Sequence, residues 1–175
     1  MDCMKAILTR RSVRRFGPGP VDPEALRALL EAAMHAPSAG NQQPWRFVVI
    51  RERATLEAIA AGHPYAIATQ SCALAVLVCA ATGELRHPDF WPQDCSAATE
   101  NLLVAAQSLG LGSVWMGLYP RRERMELLSR LAHLPEGLEP FALVALGHPL
   151  EHSEPPDRYH AEWIHGEHWG EPLAG

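Results

Sequence analysis

Leu74-Ala75-Val76-Leu77-Val78-Cys79 is a short apolar run, rich in leucine and valine, with no polar residue alternating through it. That pattern predicts a strand covered on both faces. Working outward, residues 83–94 read as irregular. Ser96–Leu109 reads as a helix closed by Gly110 as its C-terminal cap. Ser113–Met116 is a second short strand, Arg121–Leu131 an amphipathic helix with Met125, Leu128 and Leu131 near one face, and Phe141–Leu146 a third strand. Upstream, residues 2–9 suggest a short helix, and Phe16-Gly17-Pro18-Gly19-Pro20 a turn or extended link. Asp22-Pro23 is a helix start, with Asp as N-cap and Pro in the first position. Leu26, Leu29, Leu30, Ala33 and Met34 then form one apolar stripe that ends before Pro37. Residues 37–44 are a polar loop, Trp45–Ile50 a strand and Ala54–Ala61 a helix. Three or four short strands, interspersed with helices at uneven spacing, predict an α+β fold rather than a regular doubly wound sheet.

The chain has 175 residues, which predicts one domain over 1–175 with a sizeable core of its own. Its longest apolar run, Cys72–Ala81, falls short of the ~18 residues of a membrane span. Met1-Asp2-Cys3-Met4-Lys5 lacks the pattern of a secretory signal, so a cytoplasmic protein with no membrane partner is expected. A net charge of −5 argues against nucleic acid as partner. The charge is unevenly spread: Lys5, Arg10, Arg11, Arg14 and Arg15 face only Asp2 in residues 1–16. Such a cluster on an acidic chain suits either an anion site or a solvated helix end.

Four cysteines, Cys3, Cys72, Cys79 and Cys95, show no CxxC spacing, and no disulfide framework is expected. Cys72 and Cys79 read as small core residues. Cys95 opens the predicted helix, where a thiol pKa is lowered, but no nearby residue supplies a base. Five of the nine histidines (His148, His152, His160, His165, His168) lie in the C-terminal tail without zinc-site spacing, so no metal is expected. The P-loop, dinucleotide, nucleophile-elbow and HExxH motifs are all missing from the sequence.

Three segments carry the remaining chemistry. Arg10-Arg11-Ser12-Val13-Arg14-Arg15-Phe16 supplies forked cationic donors and a hydroxyl suited to phosphate. Pro37-Ser38-Ala39-Gly40-Asn41-Gln42-Gln43-Pro44-Trp45 offers amides and hydroxyls to a polar heterocycle or polyol. In Leu109-Gly110-Leu111-Gly112-Ser113-Val114-Trp115-Met116-Gly117, small residues let backbone approach a ligand.

With Ala145-Leu146-Gly147-His148-Pro149 and Arg158 added, these segments in this order resemble the nitroreductase family of flavoproteins, over about Ala6 to Trp169. The resemblance implies a nitroreductase-like fold: a central, mainly antiparallel sheet flanked by helices, in a homodimer. It implies FMN held non-covalently at the subunit interface. NADH or NADPH would be the transient donor, and a nitroaromatic, quinone or similar small molecule the acceptor, in a ping-pong reaction. Arg10, Arg11 and Ser12 would meet the phosphate and ribityl chain, and Arg158 would close on the phosphate. Arg14 would lie at the pyrimidine edge, where a cation favours reduced flavin. Pro37, Ser38, Ala39 and Asn41 would come from the partner subunit, with Gln43 in the same motif. The backbone of Trp115, Met116 and Gly117 would approach the ring. No catalytic side chain is required, because the flavin carries the chemistry.

The chain departs from larger members in Tyr65-Ala66-Ile67-Ala68-Thr69-Gln70, where those often carry an Asn and a Lys. Trp45 reads as core; Trp91, Trp163 and Trp169 suit an interface or a pocket. The alternatives are a flavin-binding electron carrier or store, and a specialised FMN enzyme of reductive dehalogenation or flavin fragmentation.

Overall fold

The computed structural model describes residues 1–151 and 154–173. In chain order the elements are α1 (Cys3–Thr9), β1 (Phe16–Gly17), α2 (Pro23–Met34), β2 (Trp45–Ile50), α3 (Arg53–Gly62), β3 (Leu74–Ala81), α4 (Trp91–Ser108), β4 (Gly112–Gly117), α5 (Arg122–Leu131) and β5 (Leu138–Pro149).

β3 lies inside the sheet, antiparallel to β2 on one edge and to β5 on the other. The far edge of β5 is shared: β4 pairs with Ala142–Gly147, and β1 with His148 and Pro149. All strand pairs are antiparallel; one isolated bridge, Ser12 to Ser113, is parallel. The fold is therefore α+β, as expected. Val76, Val78, Val144 and Leu146 pack under α2 and α4 with Leu29 and Leu102. Leu77, Cys79, Leu143 and Ala145 pack on the opposite face against Leu56, Ile59 and Leu128 of α3 and α5. Successive side chains of a strand alternate between faces. With a helical layer on each face, both sets must be apolar, which explains the unbroken run at 74–79.

Local chemistry sets the boundaries. The Asp22 carboxylate accepts hydrogen bonds from the backbone N–H groups of Glu24 (2.7 Å) and Ala25 (3.3 Å), capping α2. Gly110, at φ 75°, turns the chain out of α4 into β4, in the left-handed region that glycine tolerates.

Four expectations are corrected. Residues 83–94 are not irregular throughout: a 3₁₀ turn at Pro88–Phe90 runs straight into α4, which begins at Trp91. Pro92 sits in the first turn, where a missing N–H costs nothing. Cys95 is consequently inside the helix rather than at its start. It is fully buried, with its thiol pushed up to about 12 by burial, then by the Asp94 charge, so it is no activated cysteine. β5 outruns Phe141–Leu146 at both ends, because Leu138 pairs with Ala81 and Pro149 with Phe16. Those pairings make five strands, one of them the two-residue β1 that reads as a link in sequence.

Candidate functional site

After α1 the basic segment crosses the end of the sheet beside β4. The Val13 N–H donates to the Ser113 carbonyl at 2.9 Å, and the Phe16 N–H to the Ser71 hydroxyl at 3.3 Å. Two glycines permit this approach. A Cβ on Gly112 would sit 2.8 Å from Val13 Cγ1, and one on Gly147 would sit 3.0 Å from Phe16 Cδ1. At Gly112 the missing side chain admits the chain's own basic segment. Gly117 alone of the β4 glycines faces open space.

A cleft of about 380 Å³ opens along this segment, lined by Arg11, Ser12, Arg14 and Arg15 on one side and Gln107 and Gly112 on the other. Its arginines differ in freedom. Arg10 does not line the cleft and pairs through Nε with Glu100 of α4 at 3.3 Å. Arg11 donates to the Arg10 carbonyl and, at 3.0 Å, to the Leu8 carbonyl at the end of α1. Its buried Nε has no hydrogen-bond partner among the described residues. Loss of water around the Arg11 guanidinium, and then the charges of Arg158 and Arg10, hold its pKa below the usual arginine value. The Arg158 charge is thus felt at Arg11, although Arg158 does not line the cleft. Arg14 is exposed, tethered among the described residues by a single 3.4 Å contact to the Ser12 carbonyl. Arg15 pairs with Glu151 at 2.6 Å on the surface.

The second segment is built separately. Residues 37–45 turn through a 3₁₀ element at Ala39–Asn41, with positive φ at Gly40, Asn41 and Gln43. The Ser38 hydroxyl accepts from the Gln43 N–H at 3.0 Å, and the Asn41 side-chain oxygen from the Gln43 amide at 2.8 Å. Pro37, Gly40, Asn41 and Gln43 are exposed, while Trp45 joins the core. The loop hangs on Asp94, a residue the sequence reading passed over. Asp94 is buried, and its two oxygens accept from the Ala39 N–H (2.9 Å) and the Gln42 amide (2.7 Å). The available signal was an acidic residue in a helix's first turn, hidden because that helix was started too late. None of residues 37–45 lines the basic cleft. Asp94 and Gln107 stand at opposite ends of α4, about 20 Å apart at 1.5 Å per residue.

In β4, Trp115 is half-buried with its ring 5.6 Å from Phe141, and Met116 is buried against the α3 and α5 layer. Met116 can therefore offer a ligand only its backbone, whereas Trp115 keeps part of its side chain exposed. Gly117 is exposed, and its carbonyl accepts from Arg124 at 3.1 Å. Trp91 packs 4.6 Å from Tyr119. In the tail, Trp163 and Trp169 are exposed; Trp163 stacks on His160 and Trp169 lies tilted against His165. His152 lies outside the described residues. No helix among the described residues is long and apolar enough to cross a membrane.

Sheet order, helical layers and the basic cleft beside β4 define an α+β class with a cationic site at the sheet edge, and comparison with known proteins makes the class specific. Residues 7–71 and 73–148 match the profile of the nitroreductase family. A provisionally named NADH dehydrogenase/NAD(P)H nitroreductase of Archaeoglobus fulgidus is 44% identical over 172 residues, covering 96% of this chain and 99% of the relative. A structure of the same provisional name from Bacteroides thetaiotaomicron superposes with a TM-score of 0.91 at 36% identity, covering 95% and 98% of the two chains. A provisionally named nitroreductase from Desulfovibrio desulfuricans, solved in complex with FMN, gives a TM-score of 0.84 at 34% identity over 99% of each chain. The chain belongs to the nitroreductase family.

Proposed function

We propose that the protein is an FMN-dependent oxidoreductase, which takes a hydride from NADH or NADPH and delivers it to a nitroaromatic, quinone or similar small molecule. It would work as a homodimer with its sites between subunits. The observation that carries this reading is the cleft where Arg11, Ser12 and Arg14 meet in the field of Arg158, with the buried Arg11 Nε unpartnered among the described residues. A buried donor without an acceptor is costly, and a phosphate oxygen would satisfy it. The FMN-bound relative supports the identity of the group, and the relatives' names support the nicotinamide donor.

The donor set fits FMN. Arg11, the Ser12 hydroxyl and Arg158 would hold the phosphate, with Arg10 adding its field from beside Glu100. When bound, FMN supplies a ring that accepts a hydride and gives it up again. Arg14, exposed and loosely tethered, is free to set its cation at the pyrimidine edge. The backbone of Trp115, Met116 and Gly117 would form a wall for the ring. Pro37, Ser38, Ala39, Asn41 and Gln43 would reach the site from the second subunit. No side chain need move a proton; the chain's work is to bind, orient and stabilise negative charge. The four free thiols suit a reducing cytoplasm.

The test is the visible spectrum of untagged protein, followed by anaerobic NADH or NADPH. Flavin absorbance should bleach and return on adding a quinone. Flavin that stays oxidised would favour an electron carrier, and a protein unable to take up FMN would refute the site.

A further inference from the structure

We propose that Asp94 is a positioning residue acting in trans: it fixes the Pro37–Pro44 loop of its own chain in the shape that completes the flavin site of the second subunit. The inference rests on the dimeric flavin reading above.

Asp94 is 4% exposed, and a buried carboxylate needs donors aimed at it. Both of its donors come from one loop: the Ala39 N–H at 2.9 Å and the Gln42 side-chain amide at 2.7 Å. Gln42 extends the peg. Its amide also donates to the His87 carbonyl at 3.1 Å, and its oxygen accepts the His87 N–H at 3.0 Å. Gly40 completes the contact, for a Cβ there would stand 2.7 Å from His87 Nε2. The loop, the turn before α4 and the first turn of α4 are therefore locked together.

The lock is needed because the loop backbone is unfavourable by itself. Gly40, Asn41 and Gln43 have φ of 54°, 55° and 46°, and two of the three are not glycine. Asp94 supports this shape from the buried side, leaving Pro37, Asn41 and Gln43 exposed on the other. Those exposed groups do not line the cleft of their own chain, which lies at the far end of α4. A loop held this firmly, presenting amides away from its own cationic cleft, is a surface made for another copy's ligand.

The test uses heterodimers. Subunits carrying Asp94→Ala and subunits carrying Arg14→Ala are co-produced with different affinity tags, and the mixed dimer is isolated through both. FMN is titrated by quenching of its fluorescence. If Asp94 acts in trans, the mixed dimer has one site with both lesions and one with neither. Each homodimer should bind FMN at least tenfold more weakly than wild type, while the mixed dimer should bind one FMN per dimer with wild-type affinity. Two weakened sites in the mixed dimer would overturn the proposal, because Asp94 would then serve its own chain's site. An Asp94→Ala homodimer with wild-type affinity would also overturn it. Should Asp94→Ala fail to fold, Gln42→Ala replaces it in the same cross, with the same two outcomes. A wild-type chain that takes up no FMN would refute the flavin reading itself, before any variant is made.

Discussion

His63 ends α3 with its ring almost wholly buried. Nδ1 accepts the Tyr65 N–H at 3.1 Å, so the neutral ring carries its proton on Nε2, which has no partner among the described residues. Burial, opposed by the nearby Gly117 backbone and aided by the Arg124 charge, holds the His63 pKa below its ordinary value. The unfolded chain therefore binds more protons than the folded one just below pH ~6.5, and stability must fall as pH drops through that range. His63→Gln should flatten this loss. Urea midpoints at pH 7 and pH 5 will show it, and an unchanged pH dependence in the variant would exclude His63 as the cause. The cysteines give a second residue-scale prediction. Burial raises the thiols of Cys72, Cys79 and Cys95, the latter two to about 12, whereas Cys3 is exposed. Iodoacetamide at pH 8 should label Cys3 alone in folded protein and all four after denaturation, as read by mass spectrometry. The core roles of Cys72 and Cys79 were legible, because strand-like apolar neighbours surround them. Asp94 was not legible, because its worth depends on two donors more than fifty residues earlier in the chain.

Among the elements, the packing of the basic segment on β4 depends on a missing methyl group at Gly112. Gly112→Ala would press a Cβ to 2.8 Å from Val13 and 3.2 Å from Pro149. It should cost about 1–3 kcal/mol by overpacking and weaken FMN binding by displacing Ser12 and Arg14. Gly117→Ala, which meets nothing within 4 Å, is the control and should leave the melting temperature unchanged. Asp22→Ala should cost about 1 kcal/mol through loss of the α2 cap, without touching flavin affinity. The α2 start was readable because its signal is local: Asp, Pro and an apolar stripe in one stretch. The ends of β5 were not, because Pro140 and Pro149 read as breakers until their partner strands are known. The glycine pattern was visible in sequence, yet its purpose became clear only when Val13 and Phe16 lay over it.

For the whole molecule, α1 exposes Met4, Ile7 and Leu8, and the tail exposes Trp163 and Trp169. Exposed apolar residues on α1, next in sequence to the basic segment, would be covered by a second copy of the chain. Sedimentation should give twice the 19.2 kDa chain mass. Leu8→Asp should shift the equilibrium toward monomer and lower FMN retention with it; a fully dimeric variant would move the interface elsewhere. The basic patch was readable as a charge excess over residues 1–16, but the distance between patch and loop was not, since only α4 as a solid rod keeps them apart.

The shared strand β5 also governs when the sheet can exist. It joins β3 to β4 and β1, yet among the described residues it is the last strand in chain order. Until Leu138–Pro149 emerges, the nascent chain can close only the β2–β3 ladder, and both β3 and β4 expose a bare edge to other chains. Sheet closure therefore waits on the synthesis of Leu138–Pro149, and pairing over such sequence separations is slow. Chains stalled before residue 138 should stay protease-sensitive, whereas chains that have released β5 should become resistant in a single step.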